Sequence, residues 1–191
     1  MEQLRATLGA AVQPHQAIAM FDVGDRTCYL LISEGNQGHP APVIHYMHLG
    51  LHLLTQRTFK KSMPTATQME TAIMVVEDAV MPLARLVPPH SVLATRDPLL
   101  LRIARDAAGD ATLGTTPLGE GEAPPSVSRD AIEALFNEVV NQITGASRSY
   151  RTDIPQEPRW IAALVLLREV LHHWQFPIMR LLPASHDTPA R

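Results

Sequence analysis

Ala17-Ile18-Ala19-Met20-Phe21-Asp22-Val23-Gly24-Asp25-Arg26-Thr27-Cys28-Tyr29-Leu30-Leu31-Ile32-Ser33 is the stretch that decides how this chain folds. Residues 17–22 are a short apolar run ending in an acid, the pattern of a buried strand. Val23–Arg26 is a glycine-containing turn, and Thr27–Ser33 is a second β-rich run, so the two predict a hairpin. A carboxylate at the end of a strand, beside a glycine turn, stands next to backbone amides that can face an anion. Glycine lets the main chain approach a phosphate closely, and the acid can hold Mg²⁺ or a water. Asp-x-Gly is also an ordinary turn, and the residues alone leave both readings open.

Outward from this hairpin, Glu34–Pro42 reads as a loop, and Val43–Leu54 reads as either a third strand or a short helix, with Gly50 weakening both. Thr67 and Glu70 have capping-box spacing, and Met69, Ile73, Val76, Val80 and Leu83 then fall on one helical face until Pro82 ends or kinks it. His90–Thr95 predicts a short buried strand. Asp97-Pro98 opens a second helix that stops near Gly109. A helix–strand–helix order implies a crossover between parallel strands. Residues 109–127 read as a loop with room for one irregular strand. A third helix is expected from Ser128 to about Thr144, ended by Gly145, and a fourth from Pro158 with Ile161, Leu164, Leu167, Leu171 and Trp174 inward. Pro177–Leu182 predicts a last strand, followed by a frayed tail from Pro183. The fold class is α/β. Residues 1–127 are expected as the α/β lobe, and residues 128–191 as a mainly helical region packed on the same core.

Composition agrees with a globular protein: 46% of the 191 residues are hydrophobic and 18% are charged. Sixteen Lys and Arg against nineteen Asp and Glu leave a net charge of −3, which argues against a nucleic-acid partner. The lone Cys28 excludes an internal disulfide and a cysteine-rich zinc site. The longest apolar stretch, Trp160–Leu167, is far short of a membrane span, and the start of the chain does not read as a targeting segment. The expected location is the cytoplasm, with no membrane partner.

Several stretches together resemble the exopolyphosphatase/guanosine pentaphosphate phosphatase (Ppx/GppA) family. Ala19-Met20-Phe21-Asp22-Val23-Gly24-Asp25-Arg26-Thr27, followed by Tyr29-Leu30-Leu31-Ile32, resembles its Ile-Asp-x-Gly-Ser-Asn-Ser phosphate loop and next strand. His48-Leu49-Gly50-Leu51 resembles its Leu-Gly-Glu-Gly segment, and Met63–Met74 its Met-Glu-bearing helix. Val92-Leu93-Ala94-Thr95 resembles its Val-Ala-Thr-Ser-Ala-x-Arg strand. Leu118-Gly119-Glu120-Gly121-Glu122-Ala123 looks like its Ser-Gly-Glu-Glu-Glu-Ala stretch. Pro158–Ile161 through Arg180–Leu182 resembles its Arg-Ala-Asp helix and closing strand.

The resemblance implies an actin-like (ribonuclease H-like) mixed sheet with flanking helices. It implies Mg²⁺-dependent hydrolysis of polyphosphate or guanosine pentaphosphate. Asp22 would hold the metal, and Gly24, Arg26, Thr27, Thr95, Arg96 and Arg102 would bind phosphate. Glu122, or Glu120, would activate water. Such a reaction needs cations and amides around the developing phosphoryl charge. Asp25 and Arg26 replace small polar residues of the family loop, and no second Asp-x-Gly-Gly-Gly loop occurs. The alternative is therefore a non-catalytic protein of the same fold acting through protein–protein contacts. A homodimer or protein partner would cover an exposed apolar surface on the third or fourth helix.

Four further features stand apart. His45, His48 and His52 are spaced so that a helix would align three imidazoles for a metal, whereas a strand would split them. His172 and His173 read as a polar-face pair on the fourth helix. Arg57, Lys60 and Lys61 beside Phe59 form a compact basic patch suited to a polyanion or to solvent. Met69, Met74 and Met81 read as core filler.

Overall fold

The hairpin forms as its residues dictate. In the computed structural model, which describes residues 2–34, 41–59, 63–115, 119, 122–146 and 154–183, β1 (Ile18–Asp22) and β2 (Cys28–Ser33) pair antiparallel with Asp22 opposite Tyr29. The ambiguous stretch after them is both things in turn. It makes β3 (Val43–Met47), antiparallel to β2, and then α2 (Leu51–Thr58), with Gly50 at the helix N-cap. α3 (Ala66–Ala84) follows, then β4 (Val92–Thr95), which pairs in parallel with β1 as the helix–strand–helix order requires. α4 (Pro98–Ala108) is capped by the Asp97 carboxylate, which accepts from the Leu99 and Leu100 amides. A three-residue strand, β5 (Ser126–Ser128), lies in the loop before α5 (Arg129–Thr144). The chain then runs through α6 (Pro158–His173) into β6 (Ile178–Leu181). The order across the sheet is β3-β2-β1-β4-β6-β5, with β6 parallel to β4 and antiparallel to β5.

Alternation along the central strands assigns two layers. Ala19, Phe21, Leu30 and Leu93 face a large core with α3, α5 and α6. Ile18, Met20 and Ala94 face the other way and are covered by α1 (Glu2–Leu8) through Leu4 and Leu8. The sequence reading did not anticipate α1, because two leucines one turn apart are a thin signal in seven residues. Arg5 anchors it by donating to the Gln16 carbonyl at 2.8 Å.

Three expectations need correction. The capping box of α3 is Thr65 with Gln68, two residues before Thr67 and Glu70. α6 is not amphipathic: every residue from Trp160 to Leu167, and then Glu169, Val170 and Leu171, is buried, because helices pack on several of its sides. Its Trp174 meets Phe21 of β1 edge-on, with ring centroids 5.5 Å apart, and donates to the Val80 carbonyl at 3.1 Å. The exposed large apolar residues are not on α5 or α6, which the sequence placed as third and fourth helices. Among the described residues they are Tyr29, Val43, Ile44 and Tyr46 on β2 and β3, and Met74, Met81 and Leu86 on and after α3, so only Met69 of the three helix methionines is core. No helix among the described residues is long and apolar enough to cross a membrane.

The turn after β1 is seated directly on the start of α2. The Gly24 carbonyl accepts from the Leu51 amide and the Asp25 carbonyl from the His52 amide, both at 2.9 Å. A Cβ on Gly50 would sit on the main-chain carbonyl atoms of Asp25 and Arg26. Gly50→Ala is therefore expected to cost about 1–3 kcal/mol or more, since backbone must give way. Urea unfolding of the variant against the wild type measures this.

Candidate functional site at the ends of β1 and β4

Met20 lies opposite Ala94 in the parallel β1–β4 pair, so Asp22 and the segment Thr95-Arg96-Asp97 emerge side by side at the C-terminal ends of the two strands. Thr95 is fully buried, and its hydroxyl accepts from the Asp97 amide at 3.1 Å. The Asp97 carboxylate does more than cap α4. One oxygen accepts from the Leu99 and Leu100 amides at 2.9 and 3.1 Å, and the other from the Val23 amide at 3.3 Å in the turn after β1. One side chain thus bridges the first turn of α4 and the β1 turn.

Asp22 is the second acid of the site. Burial raises its pKa, and the neighbouring Asp97 charge raises it further; hydrogen bonds from the Arg96 backbone and the Thr95 side chain pull the other way. Its Oδ1 is buried without a hydrogen-bond partner, as is Nε of Arg96. Burial likewise raises Asp97, against the three amides that it accepts from.

The turn itself is largely satisfied from within. The Gly24 amide bonds to the Cys28 thiol, whose pKa burial pushes up to about 12. A Cβ on Gly24 would overlap the Thr27 carbonyl oxygen, so the bend requires glycine there. Asp25 pairs with Arg159 from the first turn of α6, and this contact holds its carboxyl below the usual range. Arg26 is exposed, and Thr27 is partly buried. Arg102 is turned to Glu157 at the N-cap of α6, 3.2 Å away. Asp22, Gly24, Thr27, Thr95 and Arg96 thus gather around one bend, while Arg102 is engaged with a carboxylate of its own.

Glu122 lies in the loop before β5, three strands from β1 in the sheet order, with its carboxylate accepting from the Gly119 amide at 3.1 Å. Glu120 lies outside the described residues, as do Lys60 and Lys61. Phe59 is buried, so it is core and not an aromatic for stacking on a base. His45, His48 and His52 fall on β3, on the bend after it and on α2, so neither a single helix nor a single strand carries them. The group of described residues whose donor atoms converge closely enough to hold a metal is Glu77, Glu169 and His173.

No protein-family model matches this chain, and no curated protein sequence matches it. Solved structures do. The Aquifex aeolicus PPX-GPPA enzyme superposes with a TM-score of 0.64 at 12% identity, over 93% of this chain and 57% of that one. An exopolyphosphatase-like protein gives 0.64 at 16% identity, over 93% and 61%, and an exopolyphosphatase from Cytophaga hutchinsonii gives 0.63 at 11%, over 94% and 55%. The fold is that of the Ppx/GppA phosphatases. The actin-like mixed sheet with flanking helices expected from the resemblance is what the strand order describes. This chain spans somewhat more than half the length of these Ppx/GppA structures.

Two features of this site were not visible in sequence. Asp97 was readable as a helix cap, but its bond to Val23 joins residues 74 positions apart. Arg159 reaches Asp25 across 134 positions.

The raised pKa of Asp22 has a measurable consequence. The folded state binds its proton more readily than the unfolded chain does. Stability therefore falls as pH rises from the ordinary carboxylate range through the raised folded-state value. Asp22→Asn removes that penalty and is expected to melt higher than wild type at neutral pH. The advantage should shrink toward zero below the ordinary carboxylate range, as thermal unfolding across pH will report.

Proposed function

We propose that this chain is a non-catalytic module of the Ppx/GppA fold, acting through protein contacts, with the place for a phosphate filled from within by the Asp97 carboxylate. The observation that carries this is the set of amides that Asp97 accepts from: Val23 in the turn, and Leu99 and Leu100 in the first turn of α4. Amides at a helix N-terminus and in a glycine turn are the donors that a phosphoryl oxygen would use. A resident carboxylate occupies them and adds negative charge, and Asp22 and Asp25 add more. Two of the nearby cations are spent as well, since Arg159 faces Asp25 and Arg102 faces Glu157. Glu122 is tied to an amide of its own loop.

Mg²⁺, the cofactor that the resemblance implies, fits the free Oδ1 of Asp22, because this ion is commonly held by one or two carboxylates and otherwise by water. Bound there it would neutralise charge at Asp22, without freeing the amides that Asp97 holds. Support for a contact role comes from β3, an edge strand that exposes Val43, Ile44 and Tyr46, beside Tyr29 on β2. The two tyrosine rings stack edge-to-face with centroids 5.5 Å apart. An apolar edge of this kind is what a second chain, another copy or a different protein, would cover.

The test is phosphate release from polyphosphate and from guanosine pentaphosphate with Mg²⁺. Wild type, Asp22→Asn and Glu122→Gln should show the same background rate. A working general base contributes about 100-fold or more, so a wild-type rate that far above either variant would sink the proposal. Asp97→Ser keeps a cap on α4 while shortening the plug. Calorimetry with tripolyphosphate should therefore show anion binding in this variant that the wild type lacks.

A further inference from the structure

Far along α6 from the β1–β4 site, its last turn meets the middle of α3 in a mixed nitrogen and oxygen cluster. Nε2 of His173 lies 3.3 Å from Oε2 of Glu169, one turn earlier on α6, and 3.6 Å from Oε1 of Glu77 on α3. One donor atom from each of the three lies within 4.8 Å of the others. Glu169 is 1% exposed, the one charged side chain among the buried described residues, and His173 is 21% exposed.

An ordinary histidine–carboxylate bond does not account for this arrangement. His173 Nε2 is buried, yet it has no hydrogen-bond partner, and its two carboxylate neighbours stand beyond the usual N–H···O distance of about 2.9 Å. Charge is also unbalanced. Arg168 is shared between Glu133 and Glu169, and Glu77 adds a further carboxylate beside His173, so the linked groups hold three carboxylates and one guanidinium. Unbalanced negative charge beside an unpartnered ring nitrogen is what a bound cation would resolve.

We propose that Glu77, Glu169 and His173 form a Zn²⁺ site that ties α3 to α6. The spacing suits the ion. Zinc–ligand bonds of about 2.0–2.1 Å in a tetrahedron set neighbouring donors about 3.3 Å apart, close to the separations found here. An octahedral Mg²⁺ would set them about 3.0 Å apart and prefers oxygen to imidazole. Glu77 is 39% exposed, so the fourth position opens toward solvent and takes a water. The negative end of the α6 dipole further favours a cation at this turn. The site joins the most buried helix of the core to the helix beside it, which makes its role structural.

The experiment uses the metal-free full chain, titrated with Zn²⁺ by calorimetry and with Co²⁺ by visible absorption. One Zn²⁺ per chain should bind saturably, and Co²⁺ should give the intense bands of four-coordinate cobalt. Outer-sphere changes alone cost about 10–100-fold in metal affinity, so removing a ligand in Glu77→Gln or His173→Gln should weaken Zn²⁺ by about 100-fold or more. His172→Gln and His52→Gln should leave it unchanged. Glu77 sits on a half-exposed helix face, so its variant reads metal binding without risk to the fold. Equal affinity in wild type and His173→Gln, only the weak bands of octahedral cobalt, or no saturable binding would each overturn the site.

Discussion

The organisation of the sheet's working end rests on one carboxylate. Asp97 accepts hydrogen bonds from the first turn of α4 and from the turn after β1, and so locks a helix start to a hairpin from a distant part of the sequence. Such a side chain stabilises a helix whose first amides would otherwise be orphaned, and it sets the angle at which α4 leaves the sheet. Its charge also raises the proton affinity of Asp22 beside it. In a fold shared with phosphatases, the same few amides can hold either a substrate oxygen or a side chain. Here a side chain holds them.

α6 supplies the second constraint. A helix buried along most of its length needs a polar outlet for its few charged groups, and these lie at its two ends. At the start, Arg159 and Glu157 reach the turn and α4. Near the other end, Glu169 is buried among Arg168, Glu133 and His173, with Arg168 also stacked over the Phe136 ring at 4.7 Å. Both ends therefore carry ionic contacts between elements, while the middle is packed by shape and apolar area alone.

Much of the fold was legible because its signals are local. The β1–β2 hairpin, Asp97-Pro98 at the start of α4, Ser128 at the start of α5, and the left-handed glycines 109 and 145 that end these two helices are all written within a few residues. The ambiguity at Val43–Leu54 resolved into strand then helix because Gly50 packs on the turn at Asp25 and Arg26, far back in the chain, which no local pattern records. The character of α6 was misread for a related reason. Its spacing of large apolar residues suits an amphipathic face, yet the residues between them are also buried once neighbours pack on its other sides.

The candidate site was legible only as an inventory of residues. Asp22 at a strand end and Gly24 in a tight turn follow from chain chemistry, because strand periodicity and the steric demands of a bend act between neighbours. Which amide faces Asp97, which acid meets Arg159, and whether Glu169 and His173 find a third partner on α3 are matters of where distant elements come to rest. Those placements are set by burial of the common core, a sum of many small contacts spread over the whole chain. Periodicity therefore announces the strands and helices, while partnership among charged groups waits for the packing that brings them together.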